Sequence, residues 1–179
     1  MTGNRARRPL PVLLALLVTV PLAAAAAPSS PRAPSTYAKT GAESLPPARA
    51  ASDTALAGHL IQPQALARLL ADSTATQPML VHVGFKSLYH GGHIPRSRYF
   101  GPASKPEGLA ALKKALAEIP REQPVVLYCG CCPWTDCPNV GPAFRAAQDM
   151  GFKSVRVLYV AKNLEHDWVE KGFPITVND

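Results

Sequence analysis

Val125-Val126-Leu127-Tyr128-Cys129-Gly130-Cys131-Cys132-Pro133-Trp134-Thr135-Asp136-Cys137 is the stretch from which the rest of this 179-residue chain can be read. Its first four residues are an apolar run bounded by turn formers, the pattern of a buried strand. The remainder is a loop that holds all four cysteines of the chain. A disulfide framework would scatter its cysteines so that they close long loops. Here every thiol falls in one loop, so the chemistry is to be sought at sulfur and in that place.

Outward from this stretch, strands and helices alternate. Downstream, Pro142 to Met150 reads as a helix ended by Gly151 at the C′ position, and Val155 to Val160 as a strand. Asn163 to Lys171 reads as a last helix, capped by Asn163 and closed by Gly172. Upstream, Leu60-Ile61 is a short strand, and Pro63 to Leu70 a helix with proline in its first turn and Leu66, Leu69 and Leu70 on one face. Met79 to Val83 is a second buried strand. Leu109 to Ile119 is a helix with an apolar stripe at Leu109, Leu112, Leu116 and Ile119, stopped by Pro120. Strands apolar on both faces, separated by helices, predict a single α/β domain with a mostly parallel sheet. Such sheets bind their ligands beyond the carboxyl ends of the strands, and Cys129 stands at one.

The start of the chain has a different character. Arg5, Arg7 and Arg8 precede an apolar core from Leu10 to Leu22, and small residues follow at Ala23 to Ala27. This is the pattern of a secretory signal peptide over residues 1–26, with cleavage expected after Ala26. The core is too short and proline-broken for a membrane anchor, and no cysteine follows it to take a lipid. Contact with the membrane is therefore expected only transiently, and the location periplasmic or secreted. Residues 27–58 are rich in Ala, Pro and Ser, too poor in large apolar groups to offset the entropy of ordering them, and read as a flexible tether. Residues 59–179 remain as the folded domain, expected to be a monomer. The formal charge is +7; three of those charges fall in residues 1–26 without an acid, leaving +4. The remaining basic residues are dispersed, which speaks against a nucleic-acid-binding face.

A thiolate where a loop runs into a helix N-terminus meets backbone N–H donors and the positive end of the helix dipole. These surroundings lower a thiol pKa and suit an attached sulfur anion such as a persulfide. Gly130 permits a sharp turn after the nucleophile, while Pro133, Pro138 and Pro142 restrict the loop.

Four segments in order resemble the rhodanese (thiosulfate sulfurtransferase-like) family. Gly92-His93-Ile94-Pro95, with Tyr89 before it, is similar to the family's Gly-His-Ile-Pro motif. Val125 to Cys129 is similar to the strand that ends in the reactive cysteine, and Ala146 to Gly151 followed by Val155 to Leu158 to its helix-Gly-strand. Trp168, Gly172 and Pro174 are similar to its closing Trp-x3-Gly-x-Pro. The resemblance implies a parallel five-stranded sheet flanked by helices, with Cys129 as the sulfur-carrying residue and no cofactor. Three segments depart from the family: His82-Val83-Gly84 replaces its Asp-x-Arg, the loop after Cys129 is longer, and Ala161-Lys162 replaces its paired glycines.

The leading expectation is an exported sulfurtransferase or persulfide carrier, with Cys129 catalytic and an active-site loop of Gly130, Cys131, Cys132, Pro133, Trp134, Thr135, Asp136 and Cys137. Its partners would be a small sulfur donor and a thiophilic acceptor, such as a protein thiol. Cys131, Cys132 and Cys137 are candidate resolving or relay thiols, Trp134 an anchor for the loop, His93 a turn residue and His82 a satisfied histidine at a strand end. Two alternatives use the same loop: a thiolate metal-binding module for Zn²⁺ or Cu⁺, and a thiol-disulfide redox protein. Phosphatase chemistry would need an arginine in the loop to grip phosphate, and none lies between Cys129 and Arg145. Limited proteolysis is expected to trim the tether and leave a stable core beginning near His59; unfolding on loss of the tether would contradict this division.

Overall fold

The computed structural model describes residues 56–177. The expected leader, and the tether except for its last three residues, lie outside them. The folded part reaches slightly further back than His59, since Leu56 is buried in the core at 2% exposure.

Five strands, all parallel, form one sheet: β1 (Leu60–Ile61), β2 (Met79–His82), β3 (Arg98–Tyr99), β4 (Val125–Tyr128) and β5 (Val155–Leu158), in the spatial order β1-β5-β4-β2-β3. Helices α1 (Pro63–Ala71), α2 (Lys86–Gly91), α3 (Pro106–Ala117) and α4 (Val140–Asp149) connect them. The expected α/β architecture is present. β2 and β4 pair in register from Met79 opposite Val125 to His82 opposite Tyr128. From β2 the chain moves to β3 on one side, and from β4 to β5 on the other. Connections that diverge in this way open a crevice at the carboxyl ends of the two strands, where the following loops leave in opposite directions.

Both sheet faces are covered, and β4 shows why its sequence is apolar throughout. Val125, Leu127 and Cys129 point into the layer built with Leu112, Leu116, Ala143 and Phe144 of α3 and α4. Val126 and Tyr128 point into the other layer, with Leu66, Leu88, Ile94, Leu164 and Trp168. Successive residues of a strand face opposite sides, so a strand covered on both needs no polar positions.

Several boundaries differ from the sequence reading. α3 starts at Pro106, three residues before Leu109, because proline occupies its first turn. α4 starts at Val140, before Pro142, which the first turn accommodates. β2 ends at His82 and β5 at Leu158, each shorter than the apolar run that marks it. The segment expected as a helix from Asn163 to Lys171 is a π-helical turn, Glu165–Val169, whose wide loop closes with Glu170 N–H donating to Glu165 O at 2.9 Å. Asn163 does cap it, its Oδ1 accepting from His166 N–H at 2.8 Å. Within this turn Trp168 is buried and donates Nε1–H to Pro174 O at 2.7 Å. α2 and β3 are short elements without a matching expectation.

The Gly-His-Ile-Pro segment is held to the rest by polar contacts. His93 exchanges backbone hydrogen bonds with Thr176 in an antiparallel bridge, and its Nδ1 lies 2.9 Å from Tyr89 O. Ile94 N–H donates to the buried Tyr128 hydroxyl at 3.0 Å, and that hydroxyl donates to Ser97 Oγ at 2.7 Å. Burial pushes the Tyr128 phenol well above its usual range, although the bonds to Ser97 and Ile94 oppose the shift. Tyr128→Phe should therefore leave a buried donor at Ile94 unpaired and lower stability by about 1–3 kcal/mol, read from denaturant unfolding. A change too small to measure would show that the hydroxyl is dispensable.

Candidate active site

Cys129 follows β4 directly and is 2% exposed. Its position is fixed on both flanks. Val83 N–H donates to Tyr128 O at 2.8 Å, which continues the β2–β4 ladder, and Leu164 N–H donates to Gly130 O at 2.9 Å. Gly130 has φ 86°, the left-handed conformation that the sharp turn requires. Pro133 leads into a 3₁₀ turn, Trp134–Asp136, that takes in Thr135. Trp134 N–H donates to Val160 O at 2.9 Å while its ring packs on the α3/α4 layer, so this residue ties the loop down. Asp136 is exposed. Cys137 ends the turn and is buried, whereas Cys131 and Cys132 are half-buried.

The loop thus gathers its thiols at one point. Cys129 Sγ lies 3.3 Å from Cys131 Sγ, which lies 2.9 Å from Cys132 Sγ. The sulfurs of Cys129, Cys131 and Cys137 all lie within 4.8 Å of one another. The four cysteines are unlinked thiols.

Two residues that the sequence did not single out complete the surroundings of Cys129. Asn139 is fully buried; its Nδ2–H donates to Cys129 Sγ at 3.4 Å and its Oδ1 accepts from Ser104 N–H at 3.0 Å. It stands at the N-cap position of α4, yet its side chain makes no cap bond and turns to the thiol instead. An Asn just ahead of a helix is the one local signal that could have flagged it. Gly84 is the other. A Cβ there would sit 2.7 Å from Cys129 Sγ and 2.9 Å from His82 Cε1, so the thiol and the imidazole edge close over a position where only glycine fits. The departure at His82-Val83-Gly84 is thereby part of the site.

Three of the thiols are shifted by their neighbours. Cys129 is pushed up by hydrogen bonds with Cys131 and Cys137 and then by burial. Cys132 is pushed up by its bonds with Cys131 and Cys137 and by burial. Cys137 is held well below the usual thiol range because Cys129, Cys131 and Cys132 direct their S–H groups at it and Asn139 N–H adds a further donor, against the effect of burial. A lowered pKa at Cys129 itself was the sequence expectation, and the structure corrects it. The neighbouring thiols, all potential donors to one sulfur, outweigh the loop amides, raising Cys129 and lowering Cys137.

His82 is fully buried beside this cluster. Its Nδ1 accepts from Gly84 N–H at 3.2 Å, but Nε2 has no hydrogen-bond partner, so it is not the satisfied histidine expected. The ring lies among Tyr89, Tyr99 and Tyr128, with centroids 5.6, 6.0 and 5.1 Å away. Burial is the main cause that lowers its pKa from the ordinary 6.5 to about 4; His93 pushes the same way, and Cys137 opposes.

The chain matches the rhodanese-like domain over residues 62–159, and it belongs to that family. Its fold is similar to that of the Alr3790 protein from Anabaena sp., with TM-score 0.51 and 16% identity, over 66% of this chain and 92% of that one. It is also similar to the BH2092 protein from Bacillus halodurans, with TM-score 0.53 and 17% identity, over 69% of this chain and 80% of that one. Identities this low speak to the fold alone. No curated protein matches the chain in sequence.

The buried imidazole makes stability depend on pH. Below pH 6.5 the unfolded chain binds a proton at His82 that the folded protein refuses until about pH 4. Its contribution is therefore fully present above pH 6.5 and is lost as pH falls to about 4, an effect of about 3 kcal/mol. Denaturant unfolding at stepped pH should show that slope, and His82→Phe should remove it; an unchanged slope in the variant would assign it elsewhere.

Proposed function

We propose that this protein is an exported sulfurtransferase or persulfide carrier that holds sulfane sulfur on Cys129. The observation that carries this reading is the place of Cys129: it follows the central strand β4 where the connections from β2 and β4 diverge, with the Asn139 amide on its sulfur. Membership of the rhodanese-like family supports sulfur transfer as the class of reaction.

The step begins inside the thiol cluster. Cys129 reacts as its thiolate, its proton passing to solvent against the raising effect of Cys131, Cys137 and burial. Cys129 thiolate attacks the outer sulfur of a donor such as thiosulfate. The donor's S–S bond breaks, sulfite leaves with the electron pair of that bond, and Cys129–S–S⁻ remains. An acceptor thiolate then attacks the terminal sulfur, becomes a persulfide, and returns Cys129 as thiolate. Asn139 Nδ2–H favours the anionic forms in both steps. The half-exposed Cys131 and Cys132 serve as first acceptors: one of them, as thiolate, attacks the terminal sulfur, becomes a persulfide and passes that sulfur to the acceptor thiolate in solvent.

Peptide mapping after incubation with thiosulfate or a small persulfide should find one added sulfur on Cys129, and Cys129→Ser should abolish transfer to cyanide or thiols. Cys137→Ser should retain transfer and move its pH profile downward, since the hydrogen bond and charge of Cys137 that push the Cys129 thiol up are removed. Full activity in Cys129→Ser would sink the assignment.

A further inference from the structure

We propose that Cys129, Cys131 and Cys137 form a three-coordinate site for a soft monovalent cation, Cu⁺. The proposal goes beyond sulfur transfer and does not rest on it, because it concerns only what three converging sulfurs can bind. These sulfurs come from separate points of the loop, yet all lie within 4.8 Å of one another. Bonds between a thiolate and a d¹⁰ metal are about 2.3 Å long, so three sulfurs around one ion stand about 4 Å apart at the corners of a triangle. The observed triangle, with one edge of 3.3 Å, meets that size after small shifts of side chains.

The donor set selects the metal. The three ligands are all thiols, with no oxygen or imidazole among them. Soft ligands of this kind select Cu⁺ and zinc over harder cations. Zinc in a structural site takes four ligands in a tetrahedron. Here the fourth thiol, Cys132, reaches Cys131 at 2.9 Å and Cys137 but is not among the sulfurs that all lie within 4.8 Å of one another, so the triangle is left with three. Support behind the ligands is already built. Asn139 donates to Cys129 Sγ, Leu164 N–H holds Gly130 O, and Trp134 N–H holds Val160 O, so the loop need not be ordered by the metal. Binding displaces thiol protons to solvent and changes no oxidation state.

The test uses the reduced, purified protein under nitrogen, with no sulfur donor present. Cu⁺ is titrated in competition with a chelator of known affinity. One equivalent is expected to bind. Cys129→Ser, Cys131→Ser and Cys137→Ser should each weaken binding by more than the loss of an outer support costs, which is about 10- to 100-fold. Cys132→Ser should leave the affinity close to that of the unaltered chain. X-ray absorption at the copper edge reads the coordination of the unaltered protein, whatever the variants do to folding: three sulfur neighbours are expected. Two or four neighbours, equal losses for all four variants, or affinity no better than that of a small free thiol would overturn the site. None of those results touches persulfide formation on Cys129, which is measured in metal-free protein.

Discussion

The alternation of side chains along β4 is the constraint on which the molecule depends. A central parallel strand must fill both layers, and each residue serves the layer opposite to its neighbour's. Val125 and Leu127 fill the α3/α4 side, and the same parity delivers Cys129 to that side, against α4 and the Asn139 amide. Tyr128, one residue earlier, faces the other layer, where its hydroxyl holds Ile94 N–H. Two adjacent residues thus anchor two different parts of the fold. A shift of register by one residue would exchange them and lose both.

The gathered thiols form a single electrostatic unit. Separating four ionisable groups would let each follow its own surroundings. Packed together, Cys129 and Cys132 are raised and Cys137 is lowered, because the donors converge on Cys137. Cys137 occupies that position because the 3₁₀ turn brings it back under Cys129. The chemical character of the nucleophile is therefore a property of the whole loop, and of Gly84, whose missing side chain allows the thiol and His82 to approach.

What could be read from the sequence was what is local. Val125 to Tyr128 and Met79 to His82 are apolar runs bounded by turns, and β4 was placed to the residue. The position of Cys129 at a strand end follows from the same run. What escaped was what is distant. Asn139 reaches the thiol across ten residues and Ser104 across thirty-five, and its place ahead of a helix announces a cap rather than either contact. Gly84 meets Cys129 only through the pairing of β2 with β4. The early start of α3 was hidden by Gly108, a poor helix former that is present because a Cβ there would run into the Pro102 carbonyl. β3 is two residues long, with Arg98 exposed on it, too little for a periodic signal. The balance of charge among the thiols is likewise a matter of relative position, and four cysteines written in a row do not reveal it.

The depths of the four sulfurs also have a kinetic meaning. Cys131 and Cys132 meet solvent, while Cys129 and Cys137 lie beneath them, under a loop stitched at Gly130 and Trp134. A reagent that diffuses in encounters the outer pair first, because the loop shields the inner pair from solvent. The loop is accordingly a sieve in time: bulky electrophiles are spent on its rim, and the inner sulfurs outlast them.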